Sequence, residues 1–488
     1  MRIQRNSPIL ILAAATLLLA LLAPGDGAVA QKYNSHDAGP VYGKPASTYS
    51  DARHKDVGGP GIISIIPKLL PPPGTKFIDS RRVGKRLRKS HQSRRSAARR
   101  RSTGVPPANE RRLVPDEVVV ELSSAAGPQQ IATLQRRYSL ALLETYTSQL
   151  SGTMLSRWRI SDRRSISTVV QALESDNTVS SAQPNYLYSL QQANGRPEGD
   201  PLQYELAKLR LPQAHALTKG KGIVVAVVDS GVDVSHPELA GSIAGAFDAN
   251  GMPGPLEKHG TSIAGLIAAH VTLSSAAPSA RILSVRVFGP TGNGSTFIVL
   301  KGLDVAVKNG ARVINMSFTG PADPITSLSL QAAYKRGVVL VAAAGNAGPK
   351  SPPLYPGAYP EVIAVSGTDA NDRSSVFSNR GKYIAVAAPA TDIMVAIPEG
   401  RFEIASGTSF SAAEVSGIVA LMLERRPDLS PEAVRRILDT TAKDIGPKGH
   451  DVMFGAGLVD AYRAIMSEQV PLAATEHPVA RVRRIRAH

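Results

Sequence analysis

The sequence lacks cysteine altogether, so no disulfide framework can support the fold of its 488 residues. We therefore expect a large hydrophobic core to stabilise the protein. Beyond residue 30 no apolar run is long enough to cross a bilayer, and the remaining chain is expected to be water-soluble. The chain also lacks a dense loop of Asp and Asn that would locate a calcium site.

The longest apolar run, residues 9–23, lies close to the start of the chain. It follows Arg2 and Arg5 and precedes Ala28-Val29-Ala30, so a basic start, a short hydrophobic core and a small-residue cleavage site occur in the order typical of a secretory signal. Residues 1–30 are predicted to be a signal peptide, and the mature protein to be secreted or periplasmic. An uncleaved anchor is the alternative, although the core is short for a bilayer span.

Residues 31–112 are rich in Pro, Gly, Ser and charge without a sustained period, which is typical of a disordered segment. Within it, the tract from Arg81 to Arg101 contains eleven Lys and Arg and no acidic residue. Residues 200–463, by contrast, contain 24 basic and 23 acidic residues. The net charge of +17 therefore belongs to the flanks, which include a basic tail over residues 467–488.

The basic tract from Arg81 to Arg101 is compatible with three roles. Such a charge run binds nucleic acid or anionic lipid head groups in some proteins. The tract has no interleaved aromatic residues and follows a secretory signal, so a solvated linker or processing site is favoured. An anionic envelope surface is the second possibility, and nucleic acid is not expected as a partner.

Residues 113–191 have the pattern of a separate small domain. Strand, helix, strand, strand, helix and strand follow one another, which is the order of a ferredoxin-like α+β fold.

Two later segments place an acid and a base at the ends of regular elements. Residues 222–228 form a continuous apolar, β-branched run, typical of a buried parallel strand, and Asp229 follows it directly. Catalytic groups gather at the carboxyl edge of such sheets. His259 opens a second small-residue helix, with no charged side chain before its end, and is therefore predicted to be held in place rather than solvated.

Residues 406–413 place Ser409 after Gly407 at the start of an apolar helix. Glycine allows close approach of a substrate, and the N–H groups of a helix N-terminus favour developing negative charge. The run alone fits an N-cap equally well, with Thr408 or Ser409 as the capping oxygen. A nucleophilic serine needs a base and an acid that orients the base, which His259 and Asp229 would provide.

In these motifs the chain resembles the subtilisin-like serine proteases, whose catalytic residues occur in the order Asp, His, Ser. The resemblance is carried by Asp-Ser-Gly-Val-Asp from Asp229, His-Gly-Thr from His259 and Gly-Thr-Ser ending at Ser409. It implies a three-layer α/β fold with a mostly parallel sheet over residues 200–466. It also implies a serine endopeptidase, made as an exported precursor that processes itself.

The resemblance assigns further roles. Asn346, after a buried strand, matches the oxyanion donor of the family. Residues 113–191 resemble the propeptide that inhibits the enzyme intramolecularly, which implies autocleavage within residues 191–199; a permanent accessory domain is the alternative. Calcium is possible by resemblance, without a located site, and no other cofactor is expected. The residues expected to bind a peptide substrate are Gly292, Asn293, Gly294, Ser317, Phe318, Thr319 and Gly345.

The sequence departs from the family pattern next to the nucleophile. Phe410, Ala413 and Glu414 replace residues usual there, and we expect Glu414 to be solvated or salt-bridged. Phe318 and Leu354 add bulk near the primary specificity pocket, which predicts a preference for small or medium apolar side chains. A catalytically weak, protease-like binding protein of the cell envelope is the alternative function, but Asp229, His259, Ser409 and Asn346 are all chemically competent.

Overall fold

The computed structural model describes residues 103–191, 203–249, 251 and 258–467. The predicted signal peptide, nearly all of the predicted disordered segment with its basic tract, residues 192–199 of the expected cleavage region, and the tail beyond residue 467 lie outside these ranges. Within the described ranges, no helix combines the length and apolar character needed to span a membrane.

The N-terminal unit, residues 113–191, consists of one four-stranded antiparallel sheet and two helices. Its sheet has the order β4-β1-β3-β2, and the chain order of the elements agrees with the ferredoxin-like pattern predicted from the sequence. Its elements are β1 (Leu113–Ser123), α1 (Pro128–Arg137), β2 (Leu140–Ser148), β3 (Thr153–Ile160), α2 (Ile166–Glu174) and β4 (Val179–Leu190).

The alternation of side chains along β1 gives this sheet two apolar faces. Val118, Val120 and Leu122 belong to one apolar cluster with Trp158 and the helices α1 and α2. Val119 points to the opposite face and belongs to a different cluster, which is shared with the remainder of the protein. The unit therefore has its own core and a second apolar face covered by the other domain.

Residues 103–112 precede β1 and have defined contacts. Thr103 Oγ1 donates to Glu174 Oε2 over 3.0 Å, and Val105 packs against the core of the N-terminal unit. These residues were predicted from their composition to belong to the disordered segment, and their defined contacts correct that prediction.

The second domain is built on a seven-stranded sheet in which every neighbouring pair of strands is parallel. The strand order is β13-β12-β11-β9-β5-β7-β6. The strands of the domain are β5 (Val224–Asp229), β6 (Ile243–Asp248), β7 (Arg281–Arg286), β8 (Asn293–Ser295), β9 (Val313–Met316), β10 (Phe318–Thr319), β11 (Val339–Ala343), β12 (Val362–Thr368), β13 (Ile384–Pro389), β14 (Ile393–Ile397) and β15 (Arg401–Ala405).

Helices cover both faces of this sheet, as expected for a sheet whose strands are apolar throughout. Val225 and Val227 of β5 face one helical layer, and Ala226 and Val228 face the other. The helices of the domain are α3 (Tyr204–Lys208), α4 (Leu211–His215), α5 (Lys258–Ala268), α6 (Thr296–Lys308), α7 (Pro324–Lys335), α8 (Thr408–Arg425), α9 (Pro431–Thr441) and α10 (Ala461–Met466).

Helix α8 has the longest buried run of any helix among the described residues, with residues 408–423 all buried. It packs against α5, α10 and five strands of the large sheet, so it is enclosed on every side. Gly417 permits this packing, since a Cβ there would lie 2.4 Å from the Cβ of Ala276. The start of the helix is consequently held in one position relative to the carboxyl edge of the sheet.

The N-terminal unit is joined to the second domain through its last strand. The final residues of β4 lie between β8 and β10 and pair antiparallel with both. Leu187, Tyr188 and Ser189 are opposite β8, and Leu190 is opposite Phe318 of β10.

A second contact is made by the carboxylate of Asp304 on α6. It accepts hydrogen bonds from Ser148 Oγ over 3.1 Å, Gln149 N over 3.2 Å and Leu150 N over 2.6 Å, and also from Tyr146 Oη. A single buried carboxylate thus satisfies four donors at the end of β2 and in the turn that follows it.

Candidate active site

Asp229 and His259 form a buried hydrogen-bonded pair. Asp229 ends β5 at the carboxyl edge of the large sheet, and His259 lies in the first turn of α5. His259 Nδ1 is 2.8 Å from Asp229 Oδ1 and 3.0 Å from Oδ2, while Ser230 N donates to Oδ1 over 2.7 Å. Because the carboxylate holds Nδ1, the other ring nitrogen, Nε2, faces the cleft.

The pKa of His259 is raised by this pair. Burial by itself lowers the pKa of the ring, but the charge of Asp229 and its hydrogen bond to Nδ1 outweigh burial and favour the imidazolium. Lys258, whose charge opposes the imidazolium, is directed away into an ion pair with Glu403 of 2.8 Å.

Ser409 is the second residue of α8. The N-cap position is occupied by Gly407, which has no capping side chain, so neither Thr408 nor Ser409 has the capping role that the sequence alone allowed. Ser409 Oγ donates to the carbonyl oxygen of Gln191 and lies 3.2 Å from the carbonyl oxygen of Ser317. The Gln191 oxygen is also 3.4 Å from His259 Nε2, so hydroxyl and imidazole meet at one carbonyl group.

Asn346 lies beside this carbonyl with its amide oriented by Thr408. Asn346 Oδ1 accepts from Thr408 N over 3.0 Å and from Thr408 Oγ1 over 2.8 Å. The amide nitrogen Nδ2 is buried and has no hydrogen-bond partner. A buried unpaired N–H group is costly, and here it is available to an anion that forms next to Ser409.

The expected substrate-binding residues line the end of β4 and Gln191, which follows it. Leu190 N donates to Gly292 O over 3.2 Å, and Gln191 N donates to Ser317 O over 3.3 Å. Ser189 is opposite Asn293 on one side and Thr319 on the other. Two edges of the second domain therefore hold an extended chain by main-chain bonds.

Three more of the expected residues border the cleft. Gly294 is opposite Tyr188 in β4, and Phe318 is fully buried. Gly345 has a φ of +109°, and a Cβ there would lie 3.0 Å from Leu354 and 2.4 Å from Asn379. The backbone next to Asn346 consequently requires glycine.

Sequence reasoning placed Gln191 in the expected cleavage region and Thr408 in the motif around Ser409, but it did not predict the contacts that both make in the site. Thr408 belongs to the motif around Ser409, but its contact with Asn346 joins residues far apart in the chain. Gln191 follows the strand predicted over residues 179–190, and its side-chain Oε1 also accepts from Asn346 N over 3.0 Å. The resemblance to a propeptide implies cleavage within residues 191–199, but no local signal in the sequence indicates which of these residues meets the serine.

The expectation that Glu414 is solvated or salt-bridged is wrong. Its side chain is buried within α8, and neither carboxylate oxygen has a hydrogen-bond partner. Burial, and to a smaller extent the charge of Glu205, raise the pKa of Glu414 well above its ordinary value. Burial likewise raises the pKa of Glu205 to about 7. The helix is enclosed on all sides, so no face of it is left for a solvated carboxylate.

Phe410, the other unusual residue after the serine, contributes to the packing of the histidine. Its ring is buried and lies 6.5 Å from the ring of His259 at an interplanar angle of 30°.

No calcium site is located among the described residues. In the ranges covered by the structure, no three His, Asp or Glu side chains cluster closely enough to hold a metal ion. Glu238, buried beside the loop after α5, uses its carboxylate to accept from Val271 N, Thr272 N and Leu273 N. At Glu238, backbone amides therefore occupy the lone pairs that a cation would need. No step of the chemistry is assigned to calcium.

A buried Asp–His pair, a serine at a helix N-terminus and an oriented amide donor are the arrangement of a serine hydrolase. The sequence is also similar to known proteins. The model of the subtilase family matches residues 220–457. Thermitase from Thermoactinomyces vulgaris is 36% identical over 271 residues, which cover 54% of this chain and 95% of thermitase. Subtilisin E from Bacillus subtilis is 34% identical over 273 residues, which cover 54% of this chain and 70% of subtilisin E.

The fold has a relative among solved structures. The crystal structure of fervidolysin from Fervidobacterium pennivorans, a keratinolytic enzyme related to subtilisin, matches with a TM-score of 0.64 at 23% identity. The match covers 75% of this chain and 62% of fervidolysin, and it supports the shared fold. The chain belongs to the subtilase family and is a serine endopeptidase of the subtilisin type.

The buried carboxyls of Glu205 and Glu414 predict a dependence of stability on pH. Both have folded-state pKa values above those of the unfolded chain, so their contribution is complete below pH 4.5 and is lost as pH rises through the folded pKa. In a Ser409→Ala background, Glu205→Gln with Glu414→Gln should remove this loss. The gain in free energy of unfolding over the parent should grow between about pH 4.5 and 7, by on the order of 3 kcal/mol from Glu205 alone.

Denaturant unfolding of parent and variant at several pH values measures this difference. Glu399→Gln is the matched control, because that carboxylate is exposed and paired with Arg401 at the surface. A difference between parent and double variant that does not change with pH would contradict the assignment.

Proposed function

We propose that this subtilase is an exported endopeptidase that cleaves its own chain after Gln191, with Ser409 as nucleophile, His259 as base and Asp229 as the residue that orients the histidine. The observation that carries the proposal is the position of the Gln191 carbonyl, which contacts Ser409 Oγ and lies 3.4 Å from His259 Nε2. The chain holds its own peptide in the place of a substrate.

In the proposed reaction, Ser409 Oγ forms a bond to the Gln191 carbonyl carbon while His259 Nε2 takes the hydroxyl proton. His259 then returns the proton to the leaving nitrogen of residue 192, and the peptide bond breaks. Water, activated by the same imidazole, hydrolyses the acyl-enzyme. Asp229 stabilises the imidazolium at each stage, which agrees with the raised pKa of His259.

The oxyanion of the tetrahedral intermediate is assigned to Asn346 Nδ2 and the backbone N–H of Ser409. The Gln191 oxygen now lies on the side of His259, and Nδ2 is unpartnered. The carbonyl therefore has to turn towards Asn346 for attack. Asn346 Nδ2 would gain a hydrogen-bond partner only when the oxyanion forms. The bond would therefore stabilise the transition state more than the bound substrate and lower the activation barrier.

We assign the N-terminal unit the role of propeptide and intramolecular inhibitor. Its last strand fills the cleft, so another peptide cannot enter until the unit leaves. Release after cleavage, rather than cleavage itself, would then begin activity on other substrates. A permanent accessory domain is not favoured, because it would keep the site closed.

Peptides and unfolded proteins are the proposed substrates. Main-chain pairing on both sides of the cleft binds an extended chain with little dependence on its sequence. At the primary pocket the chain itself presents Gln191, a side chain of medium size, whose Oε1 accepts from Asn346 N. The pocket is proposed to accept small or medium side chains.

The proposed export rests on residues 1–30, and an envelope surface as partner rests on the tract from Arg81 to Arg101. Both regions lie outside the described residues. The protease-like binding protein is the less favoured alternative, because the acid, base, nucleophile and amide donor are brought together in one cleft.

Self-processing gives the first test. Wild-type full-length protein should release a catalytic part that begins at residue 192, whereas Ser409→Ala should remain uncleaved there. Ser411→Ala is the matched control: this serine is two residues further along α8, and its hydroxyl donates to backbone carbonyls away from the cleft. N-terminal sequencing reads the result. A mature N-terminus upstream of residue 113, or cleavage in Ser409→Ala, would contradict the proposal.

The oxyanion assignment predicts a large loss of rate. Asn346→Ala should slow first-order cleavage of the precursor by about 10²–10³-fold, the loss usual for such a donor in this family. Asn309→Ala removes an exposed amide at the end of α6, outside the cleft, and should change the rate little. Gel-based time courses measure both variants, and a rate for Asn346→Ala within threefold of wild type would count against the role.

The contact at Asp304 predicts the lifetime of the inhibited complex. Asp304→Ala leaves four donors at the end of β2 and in the turn after it without their charged acceptor, so the cleaved N-terminal unit should dissociate about 10-fold faster or more. The measurement is the delay between cleavage at Gln191 and the onset of peptide hydrolysis. Lys308→Ala, an exposed change on the same helix, is the control. An unchanged delay with normal cleavage would contradict the prediction.

A further inference from the structure

Tyr188 is the fourth residue before the bond that follows Gln191, and its side chain enters a pocket of the second domain. The side chain is fully buried. Its ring meets the ring of Phe318 edge-on, with centroids 5.6 Å apart, and Phe318 in turn lies 5.1 Å from Phe288. The wall of the pocket is thus aromatic and suits a flat ring.

The depth of the pocket depends on Gly320. A Cβ at this position would lie 2.4 Å from Cδ1 of Tyr188 and 2.7 Å from Cε1, closer than two carbon atoms can approach. The glycine has an ordinary backbone conformation, so its role here is the space it leaves. Without that space an aromatic ring could not reach the floor.

The floor of the pocket is polar, because it contains the carboxylate of Asp323. Tyr188 Oη lies 3.2 Å from Asp323 Oδ2, to which it donates, and 3.3 Å from Thr326 Oγ1. Asp323 is buried, and no Lys or Arg forms an ion pair with it among the described residues. A buried carboxylate needs hydrogen-bond donors, and the phenol supplies one.

The second domain itself holds the carboxylate in place. Asp323 caps α7 by accepting from Thr326 N over 2.9 Å through Oδ1, and Oδ2 accepts from Thr296 Oγ1 over 2.7 Å. Gln183 of the N-terminal unit also donates to Oδ1 over 2.7 Å and would leave with that unit. Asp323 therefore remains at the bottom of the pocket when the cleft becomes free for other peptides.

We infer that Asp323 is a specificity-determining residue that selects tyrosine at the fourth position before the scissile bond. The inference deepens the proposed function and rests on it. An aromatic wall alone would accept phenylalanine as well as tyrosine. A substrate with phenylalanine at this position would leave the buried carboxylate of Asp323 without one of its hydrogen-bond donors. The enzyme would therefore cleave such a substrate less efficiently than one with tyrosine.

The test uses mature enzyme from the wild-type full-length chain and quenched fluorescent peptides spanning residues 185–196. One peptide has the natural Tyr188, and its partner has Tyr188→Phe. The tyrosine peptide should have a kcat/KM about 10- to 100-fold higher, as expected for a hydrogen bond to a charged group. This comparison needs no change to the enzyme, so it does not depend on the folding of a variant.

Two enzyme variants distinguish the contribution of the Asp323 carboxylate from that of the space beside the ring. Asp323→Asn keeps an oxygen that can cap α7 but removes the charge, so it should reduce the tyrosine-to-phenylalanine ratio to about threefold or less. Gly320→Ala fills the space beside the ring and should slow both peptides by a similar factor, leaving the ratio unchanged. A ratio equally reduced by both variants would overturn the assignment to Asp323.

Other outcomes are equally decisive. A peptide with Tyr188→Arg that is cleaved faster than the tyrosine peptide would mean that the charge selects a cation, and would overturn the inference. Hydrolysis of denatured casein without a preference for the tyrosine peptide over its partner would overturn the inference and leave the proposed function standing. If neither casein nor any peptide is hydrolysed, the proposed function fails and the inference fails with it.

Discussion

The insertion of the last residues of β4 between β8 and β10 is the contact on which the rest of the arrangement depends. Main-chain hydrogen bonds on both sides determine the position of this strand, so its register decides which carbonyl meets Ser409. With Leu190 opposite Phe318, that carbonyl belongs to Gln191, and Tyr188 enters the aromatic pocket. A shift of one residue would turn every side chain of the strand to the other face and remove Tyr188 from Asp323.

Three buried carboxylates of the second domain have two different roles. Asp229 orients an imidazole, and Asp304 and Asp323 accept donors from the N-terminal unit. In each of these the desolvation of the charge is offset by several hydrogen bonds. Glu414 has none, and burial raises its pKa instead. The difference follows from position, because α8 is enclosed by apolar neighbours. Asp229 and Asp323 instead lie at element ends, and Asp304 faces the end of β2 and the turn after it, where free N–H and O–H groups occur.

Much of the fold and of the catalytic chemistry could be predicted because its signals are local. The β-branched run before Asp229, the small-residue helix after His259 and the glycine before Ser409 each indicate an element and its end within a few residues. The order of elements in the N-terminal unit could be predicted for the same reason. Glu414 was placed wrongly, because a helix of mixed composition does not indicate how many of its faces will be covered.

The sequence alone therefore determined the family, the elements and the candidate acid, base and nucleophile, since short-range patterns encode each of them. Only the tertiary structure decided which peptide bond lies at the serine, how Thr408 orients Asn346, and what Tyr188 meets at the end of its pocket. The physical reason is the separation of the contacting residues along the chain. These contacts join residues separated by tens to hundreds of positions, and their geometry exists only after the sheet, α8 and the N-terminal unit have packed together.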